Sequence, residues 1–508
     1  MANGVRVRAR CAAGVLMLAS AQAVATNGYF AHGYSASQRA MGGAGTAMAE
    51  DSFAVTSNPA GGVWVGNAFD AGISFFVPIR DYMATERGAD AGPGIFSISP
   101  VVEKRSGRER FYIPGIAYNR RIDAHSAWGI ALYGNGGLQT VYSGNTARFG
   151  EGIPLFRTEC EGSFGGGVPA AGAPPDVAGF CGNDSPLTSV DLIQLFIVPH
   201  YSRKLGERLS IGVAPILAAQ QFEAKGLSAF AQFSNAPERV SDNDKDHSVG
   251  YGGRIGVFGL PFDWLAAGAS YQSRIHMQRF DDYAGLFAEQ GAFDIPSAWN
   301  VGIVFLLPAQ QRVAVDFQRI HYSEIASVGR PLGPNRFVNE CALPRLLAGQ
   351  TGGLIGDGGP SPACLGADNG PGFGWSDVDV IKLGYQAVVG SFVLRAGYSR
   401  SNSPIDGDDV LFNVLAPGVP EAHFTAGFGV RMTPALSLEV SAMYADSNAV
   451  RGKNPLSNVD ASIVEILGGG ILPGAVDTSA AFGADPQDQD IELDMYQFEL
   501  TVGISYRF

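Results

Sequence analysis

Arg395, Arg431 and Arg507, together with Glu439, Glu499 and Asp316, sit at polar positions within stretches that otherwise alternate with apolar residues. A cation held in such a setting can fix a carboxylate. Buried charges also pair simply because an unpartnered one is costly, and both roles are open to these six. Asp242, Asp244 and Asp246 begin like a calcium loop, but His247 replaces the required Gly and Gly253 the closing carboxylate. They read as a solvated acidic loop, and no metal is expected. Gly43-Ala44-Gly45-Thr46-Ala47-Met48 starts like a dinucleotide fingerprint, yet it follows no strand and Met48 takes the third small position. No cofactor is expected. His32, His125, His200, His247, His276, His321 and His423 fall in no nameable motif, and no Gly-x-Ser-x-Gly elbow occurs, so the chain does not read as an enzyme.

The elements that must carry these side chains are strands. In the last thirteen residues the even positions Tyr496, Phe498, Leu500, Val502, Ile504, Tyr506 and Phe508 are apolar. The odd positions carry Gln497, Glu499, Thr501, Gly503, Ser505 and Arg507. A period of two places the sets on opposite faces, one fit for lipid and one for water. Such a closing strand, ending on an aromatic, has the form of the signal read by the outer-membrane assembly machinery. Similar alternation marks 69–79, 109–122, 126–142, 188–203, 208–222, 248–260, 264–278, 299–307, 311–323, 377–390, 392–399, 424–433 and 436–444, giving about fourteen strands, an even number as expected of a bacterial barrel. Short turns near 205–207, 308–309 and 433–434 alternate with long connections at about 143–187, 223–247, 324–376 and 447–490. Short turns on one side and long loops on the other are the habit of a membrane barrel, not of a two-sheet sandwich.

The chain start names a compartment. Arg6, Arg8 and Arg10 precede a short apolar core, Cys11 to Ala21, and Ala23-Val24-Ala25 offers a cleavage site, so 1–25 reads as a signal peptide. Losing those three arginines, the only charged residues in 1–25, takes the formal charge from −13 to −16. An acidic chain argues against nucleic acid. No run reaches the roughly 18 apolar residues of a spanning helix, so only a closed barrel could cross a bilayer. Cys160, Cys181, Cys341 and Cys364 form two local pairs in Gly/Pro-rich stretches, read as the loop disulfides Cys160–Cys181 and Cys341–Cys364.

Residues 26–66 break the strand pattern. Small-residue helical turns interrupted by Gly and Pro make a compact unit ahead of the first strand, a plug for the lumen of the 67–508 barrel. Several of its residues carry a resemblance: Met41-Gly42-Gly43-Ala44-Gly45-Thr46-Ala47, Asp51 and Asn58-Pro59-Ala60-Gly61. Downstream lie Ile295-Pro296-Ser297-Ala298-Trp299, Val315-Asp316-Phe317, Tyr322-Ser323 and Trp375-Ser376-Asp377. Leu394-Arg395-Ala396-Gly397-Tyr398, Ser403-Pro404-Ile405 and His423 complete the series. In this order the set resembles the FadL/OmpP1/TodX family of outer-membrane hydrophobic-compound transporters.

The resemblance implies an all-β membrane protein of fourteen antiparallel strands, its lumen closed by an N-terminal hatch containing Asn58, Pro59 and Ala60. It implies passive uptake of long-chain fatty acids or aromatic hydrocarbons across the outer membrane of a Gram-negative bacterium. Ligand would be caught by apolar outer loops, bound near the hatch and released sideways where strand three is kinked. Here Gly134-Asn135-Gly136-Gly137 interrupts strand three, as glycines do at a bulge. Asn135, Gly136 and Gly137 are the expected exit, or else a tight seat where the plug meets the wall. Phe222, Leu227, Phe230 and Phe233 with Tyr283, Leu286, Phe287 and Phe293 supply the capture groove, or a loop mini-core; of these Phe230, Phe233, Leu286 and Phe287 are the expected ligand contacts. Expected partners are the hydrophobic ligand, outer-membrane lipid and lipopolysaccharide, and the assembly machinery through Phe508, for a chain acting as a monomer. The apolar, Gly-rich run 463–476 departs from the family and could form a lid. An outer-membrane lipase or esterase, and a non-specific or structural porin, are the rival readings.

Overall fold

The computed structural model describes residues 27–85, 100–142, 187–345, 348, 358–456 and 489–508. The expected signal peptide, the Cys160–Cys181 pair and the apolar run 463–476 lie outside them.

Fourteen strands close into one antiparallel barrel. They are β1 (Ala68–Ala84), β2 (Phe111–Arg121), β3 (Ser126–Tyr142), β4 (Thr188–Lys204), β5 (Leu209–Lys225), β6 (Asp246–Phe262) and β7 (Leu265–Gln272), followed by β8 (Ala298–Leu307), β9 (Gln311–Ile320), β10 (Val378–Val389), β11 (Phe392–Ser401), β12 (Ala422–Arg431), β13 (Leu436–Lys453) and β14 (Asp490–Arg507). Each pairs with the next, and β14 returns to β1 in unbroken register from Ala68–Arg507 to Ala84–Ile491. Two short strands, Val101–Arg105 and His276–Met277, hang on β1 and β6 outside this circuit.

Alternation decides which side each residue takes. On β14, Phe498, Leu500, Val502, Ile504 and Tyr506 are exposed, whereas Gln497, Glu499 and Thr501 between them are at most 4% exposed. The same outward apolar row continues through Ile73, Ile116, Ile130, Val213, Ile255, Val301, Ile381, Leu394 and Phe428. No helix among the described residues is long and apolar enough to cross a membrane; the strands cross, each paired with a neighbour on both sides in a closed circuit.

The strand number expected from alternation is the observed one, but several limits shift. β13 and β14 run on to Lys453 and from Asp490, where a loop was expected from about 447. Above a lipid belt both faces meet water, so Arg451, Lys453, Asp490 and Glu492 pair as strand without any apolar alternation to announce it. The stretch expected as one strand over 264–278 ends at Gln272, and Ile275 instead bridges Ile295. Six connections are short; the longer ones, at 85–110, 143–187, 226–245, 273–297, 321–377, 402–421 and 454–489, all leave the opposite rim.

Candidate functional site

Residues 27–66 fold inside the barrel. Helix α1 (Ala36–Ala40) starts at Ser35, whose Oγ accepts from the Gln38 N–H at 3.2 Å. Helices α2 (Ala54–Ser57) and α3 (Gly62–Val65) flank a 3-10 turn, Pro59–Gly61, capped by Asn58 Oδ1 accepting from Ala60 N at 3.1 Å. Asn58 Nδ2 also donates to the carbonyls of Thr46 and Val257, each at 2.9 Å, and Ser210 Oγ donates to Ala60 O at 2.8 Å. Asn58, Pro59 and Ala60 are thus clipped to β5 and β6. Such an approach needs bare wall: a Cβ on Gly256 would stand 2.0 Å from Asn58 Oδ1, and one on Gly397 2.0 Å from Gly42 N.

The wall charges singled out in the sequence mostly fasten this unit. Asp316 accepts from Gly45 N and Thr46 N at 2.8 Å each, and Glu499 pairs with Arg39. Arg395 lies between Glu439 at 2.6 Å and Glu50 at 3.2 Å, and Glu50 also takes Arg312 at 2.6 Å. Arg507 donates to Val65 O at 2.9 Å. Sequence reasoning missed Glu50 and Arg39, because their partners lie hundreds of residues away. Although burial opposes it, the guanidinium groups of Arg395 and Arg312 hold the Glu50 carboxyl below its ordinary value. Burial, with the Asp70 carboxylate nearby, pushes Asp51 up to about 6. Between the unit and the wall lies a polar cavity of about 350 Å³ whose lining includes Glu50, Arg312, Arg395, Arg431, Glu439 and Arg507, and which reaches Tyr34, Tyr133 and Gly134. Arg431 has no side-chain partner among the described residues.

At the long-loop end the setting inverts. Phe222, Phe230, Leu286, Phe287, Phe373 and Phe412 line an apolar cavity of about 60 Å³. Three of the four expected contacts meet there. Phe233 does not: its ring packs on Phe337 at 5.8 Å, and its carbonyl accepts from Leu365 N at 2.9 Å, beside the disulfide joining Cys341 and Cys364.

From this cavity aromatic rings lead inward. Phe222 meets Phe287 at 4.7 Å, Phe287 meets Phe293 at 4.9 Å, Phe293 meets Tyr29 at 6.2 Å and Tyr29 meets Phe30 at 5.7 Å. Tyr322 secures the segment, its hydroxyl donating to Asn27 O at 2.6 Å and accepting from Tyr29 N at 3.1 Å. Phe30 then bridges to Gly136 on β3, and Ala31 N donates to Asn135 O at 2.9 Å.

The glycine stretch of β3 is a bulge. Its register against β4 slips between Gly134 and Gly136, leaving Asn135 without a cross-strand partner. The Asn135 side chain turns inward, accepting from the Tyr34 hydroxyl at 3.1 Å and donating to Gln194 Oε1 at 2.9 Å. On its other side β3 loses its neighbour: pairing with β2 ends at Gly115–Tyr133. Contact across the wall resumes at Gly107 N to Val141 O, 2.7 Å, and Val141 N to Ser106 Oγ, 3.0 Å. Between these points β2 bonds only β1, and among the described residues no ladder joins it to Gly134–Thr140. The bulge is a seat for the N-terminal unit, and among the described residues the β2–β3 ladder is missing beside it.

One constellation bears on hydrolysis. Ser297 Oγ lies 2.9 Å from His321 Nδ1 and 3.1 Å from Glu324 Oε2, and Glu324 also takes the Ser297 N–H. The carboxylate thus grips the serine through both its donors, as a turn clamp does, whereas in a catalytic triad the acid orients the histidine. Among the described residues no three His, Cys, Asp or Glu side chains stand where they could hold a metal.

No protein-family model matches the chain, and no curated protein matches it by sequence. Solved structures do. The chain is similar to a Pseudomonas aeruginosa FadL homologue at 12% identity and a TM-score of 0.57, covering 95% of this chain and 100% of that one. It is similar to the Pseudomonas putida toluene transporter TodX at 16% identity and 0.55, covering 95% and 100%. The Ralstonia pickettii toluene transporter TbuX aligns at 14% identity and 0.52, covering 94% and 99%. At these identities the likeness establishes a shared fold, from end to end of the chain.

Proposed function

We propose that this chain is an outer-membrane channel of a Gram-negative bacterium for passive uptake of hydrophobic compounds, either long-chain fatty acids or aromatic hydrocarbons. In this reading residues 1–25 are a signal peptide, 26–66 a hatch and 67–508 the barrel, assembled through Phe508 and working as a monomer among lipid and lipopolysaccharide. Phe230, Leu286 and Phe287 receive the ligand, with Phe233 bracing the loop behind them. The ligand passes along the rings of Phe293, Tyr29 and Phe30 and leaves sideways at Asn135, Gly136 and Gly137.

The observation that carries the reading is the break in wall pairing between Gly115–Tyr133 and Gly107–Val141. It lies where the aromatic track ends. The alternative, straight down the lumen, leads an apolar molecule into a cavity walled by Glu50, Arg312, Arg395 and Glu439, where it replaces water around charges at high cost. The fold shared with a FadL homologue and with toluene transporters supports the same direction. No energy source is required, since the ligand moves down its own gradient into lipid.

Uptake of labelled oleate and labelled toluene by cells with and without the protein tests this reading. Faster uptake of at least one supports it, and equal uptake of both removes it. Phospholipid hydrolysis in micelles that is lost in Ser297→Ala would favour the lipase instead.

A further inference from the structure

The rim bearing the short turns carries a feature that uptake does not use. Arg120 on β2 and Arg203 on β4 are both exposed, and both face outward, toward lipid. The register fixes their relation. Arg120 is opposite Trp128 of β3, Trp128 is opposite Tyr201 of β4, and Arg203 follows Tyr201 by two residues on the same face. Adjacent strands are about 4.8 Å apart and residues rise about 3.3 Å, which sets the two Cα atoms roughly 12 Å apart. Two extended arginine side chains can meet on one group across that span. Trp128 lies between them, 44% exposed, with the Tyr118 ring at 5.7 Å and the terminal Phe508 beyond it at 5.9 Å from Tyr118.

Aromatic rings gathered at a barrel rim mark the level of lipid headgroups. Neither arginine has an ion-pair partner among the described residues. Of the acids in the two adjoining turns, Asp123 and Glu207, neither pairs with these arginines, and Asp123 accepts from the His125 N–H at 2.7 Å. A guanidinium at headgroup depth, without a protein carboxylate, is matched in geometry by phosphate, which it can hold bidentately.

We propose that Arg120 and Arg203, with Trp128 between them, form a binding site for the headgroup phosphate of an anionic phospholipid in the leaflet at the short-turn rim. Its acyl chains lie upward along Tyr118, Ile116 and Ile130, of which Ile116 and Ile130 are exposed. They run toward the point where β2 and β3 part company, five positions above Arg120, at Gly115–Tyr133. The site depends on the barrel standing in a bilayer and not on what the barrel carries.

The full-length protein and an Arg120→Gln, Arg203→Gln double variant, each in nanodiscs of phosphatidylcholine and phosphatidylglycerol, provide the test. Native mass spectrometry reads the lipids retained, and heat-modifiable migration checks that both barrels are folded. Wild type retains phosphatidylglycerol in preference to phosphatidylcholine. Each arginine near a charged headgroup contributes about fivefold, so the preference falls roughly twentyfold or more in the double variant while folding is unchanged. Arg120→Lys, Arg203→Lys keeps the charge but loses the fork and recovers only part of it. Equal preference in wild type and double variant, or no preference in wild type, overturns the proposal.

Discussion

The Tyr34 hydroxyl donates to Asn135 Oδ1 at 3.1 Å, so the N-terminal unit is tied to the unpaired residue of the β3 bulge. A hydrogen bond of this kind contributes about 1 kcal/mol net. Tyr34→Phe should therefore raise transient opening of 27–35 about fivefold. Hydrogen–deuterium exchange on the peptide covering that segment reads it, and unchanged exchange means the tie holds nothing.

Glu50 is shared by Arg312 at 2.6 Å and Arg395 at 3.2 Å, the latter only 5% exposed. Glu50→Gln leaves Glu439 as the one carboxylate on Arg395, beside Gln386 at 2.7 Å, and weakens the fastening by about 1–3 kcal/mol. The N-terminal unit then loosens and small-ion conductance in a planar bilayer rises. Conductance equal to wild type would mean that the unit is held elsewhere.

Those two fastenings show where sequence reading stops. The β14 alternation was legible because lipid accepts only one face of the strand, and composition has to obey. The wall charges Arg395, Glu439, Glu499 and Asp316 were legible as inward-facing for the same reason. Their partners were not, since Glu50 and Arg39 sit in a helical unit whose placement no periodicity encodes. The bulge at Asn135 was announced by its glycines, while the broken β2–β3 ladder beside it was not. That break depends on where β2 begins, at Phe111, and strand ends carry little signal once both faces meet water.

Asp51 gives the N-terminal unit a pH dependence. Its carboxyl stands at about 6 in the folded protein against 3.8 ordinarily, because burial and Asp70 disfavour the charge. The folded state thus binds the proton more tightly. The resulting stabilisation is complete below 3.8 and is lost as pH rises through about 6, an effect of order 2–3 kcal/mol at most. Exchange within 36–57 should be slower at pH 4.5 than at pH 7.5 by more than base catalysis explains. Asp51→Asn should flatten that difference, and a difference that persists undiminished in the variant contradicts the assignment.

The loop cavity, about 60 Å³, is smaller than the roughly 150 Å³ that accommodates benzene in an engineered core. On the proposed route a ligand widens it on entry. Phe287→Ala should create that room at a local cost of about 3–5 kcal/mol and strengthen saturable toluene binding to the purified protein in detergent. Binding no tighter than wild type would show that the cavity is closed to ligand.

The sideways route is the central claim, and Gly136 and Gly137 border it. Gly136→Val with Gly137→Val places two branched side chains at the break while leaving the loop cavity and the charge fastenings intact. Uptake of labelled toluene or oleate, whichever the wild type carries, should fall at least tenfold in cells whose barrel still shows heat-modifiable migration. Uptake at the wild-type rate by that folded variant would contradict the route.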